Sequence, residues 1–154
     1  MKTRSIAAFV RSLSVSQNTF YMIKEFNKCL ERTDLSPCII YQENAVPPIA
    51  PMCACKMATA AISFPDTIIS TTIEEADALL KISNKSKRFL YLWDLAWLET
   101  PVHFEYAMGV MRDPRLSIIA RSESHASCIE NFCNKKTVGV LDNWNLENLL
   151  KITK

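Results

Sequence analysis

The chain has 154 residues, 49% of them hydrophobic and 22% charged, with a net charge of +2 at pH 7. That length suits one domain able to build a core without metals or disulfides, and the composition excludes a disordered chain. The weak net charge gives no electrostatic basis for nucleic acid binding, and no stretch approaches the roughly 20 uninterrupted apolar residues that span a bilayer.

The elements read as alternating strands and helices. Met1 to Val10 holds a basic pair and an apolar run ended by Arg11. The run is too short for a signal-peptide core, so a cytoplasmic location is expected, in a host cell if the chain is viral. Ile6 to Val10 is continuous apolar sequence, the pattern of an interior strand in a parallel sheet. Met22, Ile23, Phe26, Cys29 and Leu30 then recur at helical spacing. Cys38 to Tyr41 and Asp66 to Ser70 read as the second and third strands. Thr72 with Glu75 forms a capping box for a helix carrying Ile73, Ala76, Leu79 and Leu80 on one face.

Lys85, Lys87 and Arg88 read as a solvated approach to a fourth strand, Arg88 to Trp93. Thr100 and Pro101 suit a helix start, and that helix runs to about Arg112. Leu116 to Ala120 is the fifth strand, followed by a helix from Glu123 to Cys133 with Ser122 as its cap. Thr137 to Leu141 is the sixth strand, and a helix over Asn145 to Ile152 closes the chain. The expected architecture is one α/β Rossmann-like domain over residues 1–154. It has a mostly parallel sheet of five to six strands and helices on both faces. Segment 43–64, with Pro47, Pro48 and Pro51, reads as an irregular loop plus a short helix, either a lid or contact segment or an ordinary connection.

Cys29, Cys128 and Cys133 fall in helical patterns and Cys38 opens an apolar run, so they read as small buried hydrophobes. Cys53 and Cys55 sit in the loop, and a lone C-x-C pair is weak support for a metal. Six reduced thiols and no metal are the expectation. The two glycines, Gly109 and Gly139, leave no G-x-G-x-x-G turn and no P-loop, so NAD, FAD and P-loop chemistry are disfavoured and no cofactor is expected. His125 precedes Cys128 by one helical turn, a spacing that also arises without catalysis.

Ligands of an open parallel sheet bind beyond the carboxyl ends of its strands. The turns there offer Arg11, Ser12 and Asn18 after the first strand, and Thr71 and Thr72 after the third. Trp93, Asp94, Trp97 and Glu99 follow the fourth. Arg121, Ser122, Glu123 and His125 follow the fifth, and Asp142, Asn143 and Trp144 the sixth. Tryptophans beside hydrogen-bonding groups suit a sugar or nucleotide base, although Ser, Thr, Asp and Asn are also ordinary helix caps and Trp93 and Trp97 ordinary core. Arg121, between a strand and a helix amino terminus, is a candidate for an anionic contact. Its competing role is as a structural partner of Asp94 or Glu123.

The stretches D-T-I-I-S-T-T at 66–72, R-F-L-Y-L-W-D-L-A-W-L at 88–98, I-I-A-R-S-E-S-H-A at 118–126 and V-G-V-L-D-N-W-N-L-E-N-L-L at 138–150 resemble the amino-terminal domain of GT-B glycosyltransferases. The likeness is to the small phage-encoded members related to glycosyltransferase family four. F-V-R-S-L-S-V-S-Q-N-T at 9–19 stands where that family carries its first strand and acceptor-side loop. The resemblance implies a glycosyltransferase-like fold with an acceptor-side surface. It departs from the family in lacking the Gly-Gly turn after the first strand and the second domain that binds the nucleotide sugar, so catalytic incompleteness in isolation is expected. E-Y-A-M-G at 105–109 also resembles the E-x-G-x-A helix of nucleoside deoxyribosyltransferase-like domains, with Tyr106 in place of the first glycine.

Three readings follow. The first is a glycosyltransferase-like domain binding a sugar, a nucleotide or a protein partner. The second is a non-enzymatic, viral-type interaction module that binds a protein or its own copy through segment 43–64. The third, ranked lower, is a nucleoside- or nucleotide-processing enzyme using Asp94, Glu99 or Glu105.

Overall fold

A computed structural model describes residues 3–99 and 103–154. Thr100 and Pro101, the expected helix start, lie outside the described residues. The strands are β1 (Arg4–Ser12), β2 (Leu35–Glu43), β3 (Ala54–Met57), β4 (Thr67–Ser70), β5 (Lys87–Leu92), β6 (Leu116–Ala120) and β7 (Gly139–Val140). The helices are α1 (Gln17–Lys28), α2 (Ile73–Lys81), α3 (Phe104–Met111), α4 (Glu123–Cys133) and α5 (Leu146–Ile152).

The strands form a single sheet in the order β3-β2-β1-β4-β5-β6-β7, and every neighbouring pair is parallel. β1 is interior, flanked by β2 and β4, as its unbroken apolar run predicts. Side chains alternate between two layers. Ile6, Ala8 and Val10 pack with Met22, Ile23 and Phe26 of α1 and Leu146 and Leu149 of α5. Leu90, Leu92, Ile118 and Ala120 pack with α2, α3 and α4 through Ala76, Met108, Met111 and Ile129. On that second face Ala7, Phe9, Ile40 and Ile68 meet Leu79, Ala61 and Phe64.

The sheet has seven strands where five to six were expected. The addition is β3, inside segment 43–64, followed by a 3₁₀ helix over Ala58–Ser63. All four β3 residues are exposed, so the strand has no apolar alternation to reveal it and exists by pairing with the free edge of β2. Cys55 accordingly sits in a strand rather than a loop.

Leu30 is 46% exposed in a 3₁₀ turn beyond α1 and not on its buried face. Arg88 is buried rather than solvated. Its guanidinium donates to the carbonyls of Ile82 and Asn84 at 2.7 and 3.3 Å, tying the loop before β5 to the strand.

All six cysteines are free thiols, with Cys55 exposed and Cys128 partly so. Burial pushes the Cys29 and Cys133 thiols up to about 11 and Cys53 up to about 12. Because the reagent must reach the sulfur, alkylation at pH 8 is expected to follow exposure and label Cys55 first and Cys128 next. Cys29, Cys38, Cys53 and Cys133 should react only in denaturant. Mass spectrometry of timed samples checks this, and rapid labelling of Cys53 under native conditions would contradict it.

Candidate functional site

From β1 the sheet grows one way through β2 and the other way through β4, so a crevice opens beyond the carboxyl ends of β1 and β4. Two helices begin there. Ser16 caps α1, its extended backbone letting Oγ accept the Thr19 amide at 3.0 Å. Thr72 caps α2, accepting the Glu75 amide at 3.3 Å while its hydroxyl donates to the Glu75 carboxylate. This is the capping box expected from the sequence. Glu75 is only 1% exposed, and burial pushes its carboxyl above the usual range.

The crevice holds a cleft of about 580 Å³, within the range of small-molecule sites. Asn18, Thr71, Thr72, Trp93, Asp94 and Trp97, all expected site residues, line it. A smaller hollow of about 220 Å³ adjoins it at the start of α1, lined in part by Arg11, Ser12, Asn18, Thr71 and Thr72. Arg11 there is ion-paired with Glu43 at 3.0 Å in the open.

The sequence reading missed Glu74, His103, Tyr106 and Ala107, which also line the cleft. His103, Tyr106 and Ala107 fall three and four residues apart on one face at the start of α3, a spacing that could have flagged them. What brings them in is packing of α3 beside α2, where Tyr106 Oη donates to Asp77 at 2.9 Å.

Glu99, Arg121, Ser122, Glu123, His125, Asp142 and Asn143 also follow strand ends, but none lines the cleft. All but Glu99 follow β6 and β7, two or more strands beyond β4, whereas Glu99 lies at the end of the turn after β5, past Trp97. Ser122 is occupied as the cap of α4, accepting the His125 amide at 3.3 Å. The Arg121 guanidinium lies over the Trp93 ring, 3.8 Å from its centroid, rather than pairing with Asp94 or Glu123. Asp94 instead accepts the Ala96 amide at 3.0 Å and shapes the turn after β5.

Trp93 is therefore not an open stacking platform. Besides Arg121 it stacks with Tyr21 at 6.1 Å and meets Tyr91 edge-on at 6.0 Å. Trp144 is fully buried, and its Nε1 donates to Asn18 Oδ1 at 2.6 Å, so the third tryptophan braces the site from below. Trp97 differs. It is 8% exposed, lines the cleft, and its indole Nε1 has no acceptor among the described residues.

No family model, no curated protein and no solved structure matches the chain. Among the described residues no group of three or more histidine, cysteine or carboxylate side chains is arranged to hold a metal. No described helix is long and apolar enough to cross a membrane.

Proposed function

We propose that these residues form a glycosyltransferase-like domain, of the kind seen in the small phage-encoded GT-B proteins, that binds a sugar or nucleotide ligand at the carboxyl edge. By themselves they bind rather than transfer, because a donor would lack the second domain's pocket. The observation carrying this reading is the cleft of about 580 Å³ at the β1/β4 switch point, where two helix amino termini and an indole converge. A reducing, cytoplasmic setting belongs to the same proposal and is supported by the free thiols, four of them buried.

A thermal-shift screen of the purified chain against simple glycans, nucleotides and nucleotide sugars tests it. A ligand at 100 times its dissociation constant stabilises the fold by about 2.7 kcal/mol. At about 2–4 °C per kcal/mol for this size, the melting point should rise by roughly 5–10 °C. No shift with any of these classes would sink the reading, and sugar transfer by the purified chain alone would sink the claim that it only binds.

A second reading, an interaction module, is favoured by one surface. Val46, Met52, Met57 and Ile62 are 82, 70, 53 and 59% exposed along the segment that carries the open edge strand β3. Concentration-dependent sedimentation of the chain, abolished by Met57→Lys, would favour it over the ligand-binding reading.

A further inference from the structure

The two edges of the sheet are built differently. β7 is two residues long and partly buried, and Ile152 of α5 packs directly against its Gly139. A short, covered strand of this kind offers little for another chain to pair with. β3 is the reverse. All four of its residues are exposed, and among the described residues no strand lies beyond it. Pairing with Cys38–Tyr41 of β2 takes one side of its backbone and leaves the other side open.

The surface around β3 is apolar and almost uncharged. Residues 44–65 hold a single charge, Lys56, in a chain that is 22% charged. Met52 lies just before β3 and Met57 ends it, 70 and 53% exposed, and Val46 and Ile62 on the flanking segments are 82 and 59% exposed. At those fractions the four side chains leave on the order of 400 Å² uncovered, about half of what each partner contributes to a standard interface. The exposed residues of β3 itself add to that area.

So neutral a surface has nothing to match a strongly acidic or basic partner, but it meets a second copy of itself with little repulsion. A closed pair has a two-fold axis, and two copies of one edge related by an axis normal to the sheet run antiparallel, each face continuing into its own counterpart.

Side-chain alternation then restricts the register. Cys53 belongs with Ile39 to the layer under α1, and Cys55 follows it on the same face. Ala54 and Lys56 face the other way and line a hollow of about 250 Å³ with Cys38 and Phe64. Residues directly opposite each other must share a face. An axis through Cys55 therefore pairs Ala54, Cys55 and Lys56, and an axis through Lys56 pairs Cys55, Lys56 and Met57; axes through the ends of β3 pair fewer of its residues. The axis through Lys56 sets that charge against its own copy, which is destabilising. The axis through Cys55 sets each Lys56 against the partner's Ala54, where the lysine stem covers a small apolar side chain.

We propose that β3 pairs with β3 of a second copy of this chain, antiparallel about a two-fold axis through Cys55, joining two seven-stranded sheets into one. Such a pairing rests on the reading of segment 43–64 as a contact surface and names its occupant.

Sedimentation and cysteine cross-linking of the full chain test it, in a Cys128→Ser background that removes the other accessible thiol. The sedimentation coefficient should rise to that of a dimer with increasing concentration, and Met57→Lys, at an exposed position, should return it to that of the monomer. Copper–phenanthroline, a mild oxidant, should join the two Cys55 thiols, each giving up a proton and one electron to the oxidant as the disulfide forms. The product has twice the mass of the chain. Opposite residues of an antiparallel pair lie about 4.5–5.5 Å apart between Cα atoms, within the span of a disulfide. In Cys55→Ser/Ala54→Cys the thiol instead faces Lys56 and lies more than about 7 Å from its own copy, so cross-linking should slow at least about tenfold. A thermal melt verifies that each variant folds. A chain that stays monomeric at every concentration would overturn the proposal and leave the surface to a different protein. A dimer whose Cys55 fails to cross-link, or cross-links no faster than the Ala54→Cys variant, would overturn the β3 pairing. If Met57→Lys still dissociates that dimer, segment 43–64 stands as the contact surface and only the pairing falls.

Discussion

Trp144→Ala is expected to lower the unfolding free energy by about 3–5 kcal/mol, the usual cost of emptying a buried aromatic position. That is a large part of the about 5–15 kcal/mol that holds a typical domain together. Trp144 has no exposed surface, packs edge-on against Phe26 and Tyr91 at 5.9 and 5.0 Å, and bonds Asn18 at 2.6 Å. It joins the turn after β7 to α1 and to the cleft-lining Asn18. Its backbone and that of Asn143 are left-handed, with φ of 61° and 45°. That region is uncommon for tryptophan and costs on the order of 1–3 kcal/mol, which the packing of its ring offsets.

Alanine would lose the packing and keep the strain. Trp144→Gly, which relieves it, should therefore be no less stable than Trp144→Ala, by about 1 kcal/mol in its favour. Trp144→Phe, keeping an aromatic ring but not the N–H, should cost less than either. Urea unfolding with a constant slope measures all three. A loss below about 1 kcal/mol for Trp144→Ala would show that the turn does not depend on this side chain.

The second large effect lies at Trp97, where the ring and its N–H act differently on stability. Trp97→Ala should also cost about 3–5 kcal/mol, because its ring stacks on Phe104 at 6.4 Å and meets Phe132 edge-on at 5.9 Å. Trp97→Phe should behave differently. It keeps an aromatic ring against Phe104 and Phe132 while removing a buried donor that has no partner among the described residues. Eliminating such a donor recovers its desolvation cost, so the loss of volume is offset and stability should change by less than about 1 kcal/mol. Urea unfolding is the measurement. A drop of more than about 2 kcal/mol in Trp97→Phe would mean the indole N–H is satisfied within the fold.

Several features are legible in the sequence itself. The run Ile6 to Val10 specifies a strand covered on both faces, and Thr72 with Glu75 specifies the start of α2, because each signal is local. What the local signals misjudged depends on distant partners. β3 carries no apolar pattern because its four residues are exposed, and only the open edge of β2 makes A-C-K-M a strand. Arg88 looks like a solvent residue until the carbonyls of Ile82 and Asn84 close around it. Trp93 looks like a stacking surface until Arg121, 28 positions along the chain, is found over its ring.

The same division holds for the site. Strand and helix alternation follows from apolar periodicity and caps, interactions within a few residues, so the turns at the carboxyl edge could be named from the sequence. Which of those turns share a cleft is a matter of strand order, and strand order is set by packing between residues far apart in the chain. Placing β1 beside β4 gathers the starts of α1, α2 and α3 around one hollow and leaves Arg121, Ser122, Glu123, His125, Asp142 and Asn143 outside it. Glu74 and Asp94 are likewise ordinary surface carboxylates in sequence, and only the packing of their two turns at the crevice makes both line the cleft.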